Sequence, residues 1–116
     1  MFVEYLKEFP VFETGRKIRN SDSNPNGVNT NFVEIKDDIV NVRTYERGVE
    51  DEVFACGTGA TSVAIACSYL NKIKSNMCHI KMPGGNLIVE FEKENNSYKN
   101  IYLTGPAVCV FKGEIK

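Results

Sequence analysis

The segment Ala55–Leu70, with the sequence ACGTGATSVAIACSYL, decides how the rest of the chain is organised. No charged residue occurs between Val53 and Asn71, although 25% of the chain is charged. Beyond Gly59 the residues are mostly small or apolar and suit a helix, and the few Thr and Ser hydroxyls can bond back to helix carbonyls. A helix without a charged face is expected inside a protein, and this one is too short to span a bilayer. The segment therefore predicts one central helix that is buried by the strands on either side of it.

The start of this helix, Cys56-Gly57-Thr58-Gly59, combines a thiol with backbone N–H groups that have no intrahelical acceptor. Glycine lets a backbone approach a ligand closely, and a helix N-terminus can bind a carboxylate or a phosphate. The same field favours the nucleophilic thiolate form of a cysteine. These features indicate a reactive Cys56 beside an anion site. The alternative interpretation is a small buried cysteine with glycines that only permit close packing, because short glycine motifs are weak evidence by themselves.

Composition and charge exclude several classes of protein. The 116 residues make one domain, residues 1–116, which is long enough to bury a core. The formal net charge is −1 and no block of like charge occurs, so neither nucleic acid nor a membrane surface is an expected partner. Glu4, Lys7 and Glu8 interrupt the first apolar residues, which argues against a secretory signal. We expect a cytoplasmic protein.

The other cysteines and the single histidine carry no recognisable site. The four cysteines have neither the paired spacing of a zinc site nor the density of a disulfide framework, so we expect no metal. Cys67 lies about three helical turns beyond Cys56, and Cys78 and Cys109 lie in apolar, strand-like contexts. We expect these three to be inert core residues. His79 is expected to be structural or at the surface.

Six β-rich runs surround the helix. Phe2–Glu8 is expected to be a strand end or a single helical turn, Thr14–Asn20 a polar linker or short helix, and Asn20–Thr30 a loop. The segment from Glu46 to Phe54 is expected to be a strand end followed by a polar loop. The predicted strands are Asn31–Lys36, Ile39–Tyr45, Cys78–Met82, Leu87–Lys93, Tyr98–Thr104 and Val108–Phe111.

Three adjacent pairs of strands around one long helix predict the α+β class. The expected architecture is a curved antiparallel sheet, or partial barrel, wrapped around the central buried helix. The strand that ends at Glu46-Arg47 and the helix that begins at Cys56 should then meet at one edge. An Arg can clamp a carboxylate and a Glu can hold an ammonium group, so this edge suits an amino acid. The alternative is an ordinary surface ion pair.

Several of these runs together resemble the C-terminal half of diaminopimelate epimerase. The most specific are Arg43–Gly48 (RTYERG) and Ala55–Ala60 (ACGTGA), and further similarity lies in Gly27–Glu34, Pro83–Gly85 and Leu103–Ala107. The resemblance extends roughly from Gly15 to Ile115. It implies the same fold, with a helix inside a β wrapping.

The resemblance also implies a cofactor-independent epimerisation at an amino acid α-carbon. In that family two cysteines, one from each half of a pseudo-symmetric protein, face each other across the substrate. One thiolate removes the α-proton and the other thiol protonates the opposite face. Cys56 matches the cysteine of the C-terminal half. The residues that match substrate contacts are Gly57 and Thr58 at the reacting carboxylate, Glu46 and Arg47, and Asn29 at the distal end.

The departure from the family is the absence of an N-terminal half with the second cysteine. The expected partners are therefore an amino acid substrate and either the missing half or a second copy of this chain. One hypothesis is an isomerase half that works with a separately encoded partner. Another is a non-catalytic domain that keeps the fold, and a third is a thiol protein that uses Cys56 for a different reaction.

Overall fold

Two helices and six strands make up the computed structural model of this chain, which describes residues 1–116. In chain order they are α1 (Val11–Arg19), β1 (Thr30–Lys36), β2 (Ile39–Glu46), β3 (Asp51–Val53), α2 (Gly57–Tyr69), β4 (Met77–Met82), β5 (Gly85–Glu94) and β6 (Ser97–Thr104). Neither helix has the length and apolarity that crossing a membrane requires.

All six strands belong to one open sheet with the order β1-β2-β4-β5-β6, and β3 pairs with the end of β2. Every neighbouring pair is antiparallel except β2 and β4, which run parallel. The β1–β2 connection is the predicted two-residue turn, since Asp37 and Asp38 both have positive φ, as a type I′ hairpin requires. The predicted α+β class, with a sheet packed on one long helix, is confirmed.

The main core lies between α2 and one face of the sheet. Helix α2 contributes Ala60, Val63, Ala64 and Cys67, all at least nine-tenths buried. The sheet contributes Val33, Val40, Val42, Cys78, Ile80, Met82, Val89 and Phe91. The opposite side of the helix is exposed along Thr58, Ser62, Ala66 and Tyr69. Within this chain, the sheet therefore covers α2 on one side only.

A second, smaller core lies on the other face of the β1–β2 hairpin. It consists of Leu6, Val11, Phe32 and Tyr45, and α1 packs over it. Gly15 of α1 lies so close to the Tyr45 side chain that a Cβ would collide with it. The two cores share the hairpin, which is therefore the most enclosed part of the sheet.

Hydrogen bonds from Arg43 connect the N-terminal segment to this second core. Its guanidinium donates to the carbonyl oxygens of Leu6 (2.8 Å) and Phe9 (3.0 Å), and it also pairs with Glu52 on β3 (Nη2–Oε2 2.7 Å). Phe2 forms a single parallel bridge with Val33, so the first residues add only a short edge to β1. This fulfils the expectation of a strand end.

Four expectations from the sequence were wrong. Val108–Phe111 is not a strand, because residues 105–116 form no backbone–backbone hydrogen bond and pair with no strand of the sheet. Cys109 is consequently exposed rather than in the core. Asp51–Val53 was expected to be loop but is β3, since pairing with β2 and the Arg43–Glu52 contact outweigh its poor strand propensity. Helix α1 also begins earlier than the expected Thr14, at Val11.

Candidate functional site

Cys56 is the N-cap residue of α2. Its backbone is extended (φ −149°, ψ 105°), and its Sγ accepts a hydrogen bond from the Gly59 N–H at 3.3 Å. The Thr58 hydroxyl lies 3.5 Å from the same sulfur. Gly57 and Thr58 are the first two residues of the helix, so their N–H groups have no intrahelical acceptor. A half-buried thiol and amide groups without an intrahelical acceptor therefore lie together in one turn.

Three parts of the sheet hold this turn in place. The Gly84 N–H donates to the Phe54 carbonyl (2.7 Å), and a Cβ on Gly84 would lie only 2.8 Å from that oxygen. Leu103 on β6 packs against Gly57, where an added Cβ would be 3.0 Å from Leu103 Cδ2. Asn31 on β1 touches the same turn at Gly59. Close packing therefore accounts for the glycines at positions 57, 59 and 84, because a Cβ at any of them would lie too near a neighbouring residue.

Asn29 and Arg47 are brought together at the end of the β1–β2 hairpin. The Asn29 side-chain oxygen accepts from the Arg47 backbone N–H at 2.8 Å. The Arg47 guanidinium donates to the Asn26 carbonyl, also at 2.8 Å, and its stem lies against Gly27, which has φ +72°. Arg47 is therefore fastened to the loop before β1 and is not hydrogen-bonded to the Cys56 turn.

Glu46 is the last residue of β2. Alternation along β2 places it on the same face as Val42 and Thr44, which is the face that packs against α2. Its carboxylate makes no hydrogen bond within the chain, whereas its carbonyl accepts from the Glu50 N–H in the following turn (2.8 Å). Glu46 is a half-buried carboxylate that is free to contact another group.

A cavity of about 420 Å³ lies between β1, α2 and the first residues of the chain. Met1 and Phe2 line this cavity at the N-terminus, and its polar side chains are those of Asn24, Asn29, Thr30, Asn31 and Ser62. The Met1 amino group donates to the Asn31 carbonyl (2.8 Å), and burial lowers the pKa of this amino group below its usual value. Asn31 was not singled out from the sequence. The available signal was a polar residue on the strand face that also carries Val33 and Ile35.

The remaining cysteines and His79 lie apart from this turn. Burial raises the pKa of the Cys67 thiol, and it raises the pKa of Cys78 to about 12, with the nearby Cys67 adding to the effect. His79 is exposed and its side chain makes no hydrogen bond. No group of three or more His, Cys, Asp and Glu side chains is arranged to hold a metal ion.

We expect iodoacetamide at near-neutral pH to alkylate Cys56 faster than the other three cysteines. Cys67 and Cys78 are buried, and Cys109 is exposed but lies outside any helix terminus that could stabilise a thiolate. Peptide mass spectrometry after limited labelling gives the four rates, and labelling in urea provides the unprotected reference. Equal labelling of all sites in the folded chain, or a preference for Cys109, would contradict this prediction.

The Cys78 thiol should make the chain less stable at alkaline pH. Because the folded-state pKa is about 12 and the ordinary value is 9.0, the unfolded chain loses this proton first and the free energy of unfolding falls as pH rises between these values. The expected slope is about 1 kcal/mol per pH unit. Urea unfolding between pH 8 and pH 11 measures it. Cys78→Ala should lower stability at every pH but flatten the alkaline slope, and an unchanged slope would rule out this origin.

Comparison with known proteins identifies the family of this chain. The sequence model described as diaminopimelate epimerase matches residues 1–110. Diaminopimelate epimerases of Flavobacterium psychrophilum and Chlorobaculum tepidum are 47% and 41% identical to the chain, over 98% of its length in both cases. These matches cover 45% and 44% of the two relatives, so the chain spans a little under half of their length.

A solved structure supports the fold independently. The Bacillus anthracis phenazine biosynthesis protein of the PhzF family superposes with a TM-score of 0.55 over 74% of this chain and 26% of that one. At 18% identity the likeness concerns the fold alone. The family match covers nearly the whole chain, and on that basis this chain belongs to the diaminopimelate epimerase family.

Proposed function

We propose that this chain forms one half of an epimerase site that interconverts L,L- and meso-diaminopimelate. Cys56 is the acid/base on one face of the substrate α-carbon, and the second acid/base comes from a partner. The observation that carries the proposal is the Cys56 cap, in which a half-buried thiol lies beside free backbone amide groups at a helix N-terminus.

The chemistry follows from this turn. The Cys56 thiolate removes the α-proton, and the electron pair of the broken C–H bond is left on the α-carbon and its carboxylate. The Gly57 and Thr58 amides donate to that carboxylate and stabilise the charge that develops on it. A proton from a thiol on the opposite face then completes the inversion, and the two cysteines exchange protonation states. No redox step or cofactor is involved in this scheme.

Specificity for a long amino acid with an ammonium and a carboxylate group at each end comes from the open end of the β1–β2 hairpin. Glu46 is free to accept from a substrate ammonium group. Arg47 and Asn29, already hydrogen-bonded to each other, supply donors that can read a carboxylate. A substrate that bridges these residues and the Cys56 turn needs polar groups at both ends, as diaminopimelate has.

The partner is proposed to be an N-terminal half, or failing that a second copy of this chain. Support comes from the exposed side of α2 and from the length of the relatives, of which this chain spans less than half. An N-terminal half would supply the opposing acid/base and cover this side of the helix.

Reconstitution tests the proposal. The N-terminal half of the Flavobacterium psychrophilum relative is expressed alone and mixed with this chain, and epimerisation of L,L-diaminopimelate is followed by chiral chromatography. We expect turnover in the mixture and a loss of about 10²- to 10⁴-fold with Cys56→Ala. Cys109→Ala, which removes an exposed thiol, is the matched control and should retain activity. Association of the two halves without turnover would favour a non-catalytic domain instead.

A further inference from the structure

Asn31 and Thr44 form a polar cross-strand pair beneath the first turn of α2. They lie directly opposite each other in the β1–β2 register, and the Thr44 hydroxyl donates to the Asn31 side-chain oxygen at 2.8 Å. Thr44 has no exposed surface. A buried hydroxyl with one good acceptor fixes the orientation of the amide that accepts from it. The hydrogen bond from Thr44 therefore holds the Asn31 carboxamide in one orientation.

The oxygen held in this way lies against Gly59. A Cβ on Gly59 would be 2.6 Å from Asn31 Oδ1 and 3.1 Å from Cys56 Sγ. The glycine is thus enclosed between the amide on one side and the thiol on the other. Its N–H is the group that donates to the sulfur, at 3.3 Å. The place of Asn31 Oδ1 consequently limits how far Gly59 can move relative to Cys56.

We propose that Asn31, oriented by Thr44, is the positioning residue that keeps the Gly59 N–H on the Cys56 sulfur. The physical reason is steric and electrostatic together. With Asn31 in place, Gly59 cannot sink towards the sheet, so its N–H stays directed at the thiol and favours the thiolate. The inference deepens the proposed function, because the thiol it concerns is the proposed acid/base, but it describes thiol reactivity and needs no turnover.

The surroundings of the sulfur make this N–H important. Its two hydrogen-bonding neighbours, the Gly59 N–H and the Thr58 hydroxyl, are both uncharged. No Lys, Arg or His is hydrogen-bonded to Cys56, and Arg47 is engaged with the Asn26 carbonyl. The donors at this sulfur are therefore local groups of the same turn and not a cationic side chain.

The test compares Thr44→Val with Thr44→Ser in the full chain. Valine has the shape of threonine without the donor, whereas serine keeps the hydroxyl. The iodoacetamide rate of Cys56 is measured across a pH series, with Cys109 in the same sample as the internal reference. We expect Thr44→Val to slow Cys56 about fivefold relative to Cys109, the factor that corresponds to one net hydrogen bond, and to move the Cys56 pH profile upward. Thr44→Ser should keep the profile of the unaltered chain.

A double variant separates positioning from stability. Asn31→Leu with Thr44→Val replaces both members by apolar groups, so neither is left buried and unpaired. Urea unfolding should show that this double variant is folded, and its Cys56 should still react slowly with iodoacetamide. A folded Thr44→Val or double variant with the Cys56 profile of the unaltered chain would overturn the proposal, as would equal slowing of Cys56 and Cys109. Failure of reconstituted turnover with these thiol results intact would refute the proposed function alone.

Discussion

The purified chain by itself is expected to give no detectable interconversion of L,L- and meso-diaminopimelate. With one acid/base, a proton that Cys56 removes can be returned only from the same face, which regenerates the starting isomer. Slow exchange of the α-hydrogen with solvent is the most that Cys56 alone can support. Incubation in deuterium oxide, with mass spectrometry for label and chiral chromatography for isomer, separates the two outcomes.

The control for this prediction is Cys56→Ser, which should abolish any residual label uptake, whereas Cys109→Ser should not. Isomer turnover of the isolated chain at roughly 1 per second or faster, a rate typical of enzymes, would contradict the prediction. If Cys56→Ser then removed that activity, a second base would have to lie within this chain or its oligomer.

Self-association is the second large effect that we expect. The tail carries Val108, Val110 and Phe111, each more than 80% exposed, and such a run of apolar surface is unusual on a monomer. Strand β6 also has an unpaired edge, which can pair with another chain. A symmetric dimer in which each tail covers the partner would satisfy both. Sedimentation velocity at tens of micromolar should show a dimer.

Deletion of Val108–Lys116 should shift sedimentation towards the monomer. Tyr5→Lys is the matched control, because Tyr5 is also an exposed large side chain (71%) but lies in the N-terminal segment beside β1, at the opposite edge of the sheet from β6. This control substitution should leave the dimer intact. A full chain that sediments as a monomer at these concentrations would show that the exposed tail does not drive association.

Local patterns in the sequence were sufficient for most of the fold. The uncharged run after Gly59 gave α2, whose Thr61 and Ser62 hydroxyls bond back to the Gly57 and Thr58 carbonyls as expected. Asp37-Asp38 correctly predicted the hairpin turn between β1 and β2. In these cases the deciding interactions are local, so the residues that make them are neighbours in the sequence.

The errors arose where a neighbour in space decides the structure. The apolar run Val108–Phe111 has strand propensity but no partner edge in this chain. The acidic run Asp51–Val53 has little propensity but has the end of β2 beside it. Strand propensity describes how well a residue fits into a sheet, but a strand forms only where a neighbouring strand is available to pair with it.

The same distinction applies to the candidate site. The position of Cys56 at a helix start could be predicted, because the glycines and the uncharged run lie next to it. The contact between Asn31 and Gly59 could not, since it depends on how β1 and α2 pack. The engagement of Arg47 with the Asn26 carbonyl likewise depends on the path of the loop before β1.

The parallel junction between β2 and β4 has a consequence for how the chain folds. Strands β1–β3 and strands β4–β6 each form a meander of sequence neighbours. The only strand pairing between the two meanders joins Val40 with Ile80 and Asn41 with Lys81. Contacts between sequence neighbours form fastest, so each meander can form first and the junction closes afterwards. Helix α2 is the segment that connects them. We therefore expect the geometry proposed for Cys56 to be completed late in folding, when both meanders have docked on the same helix.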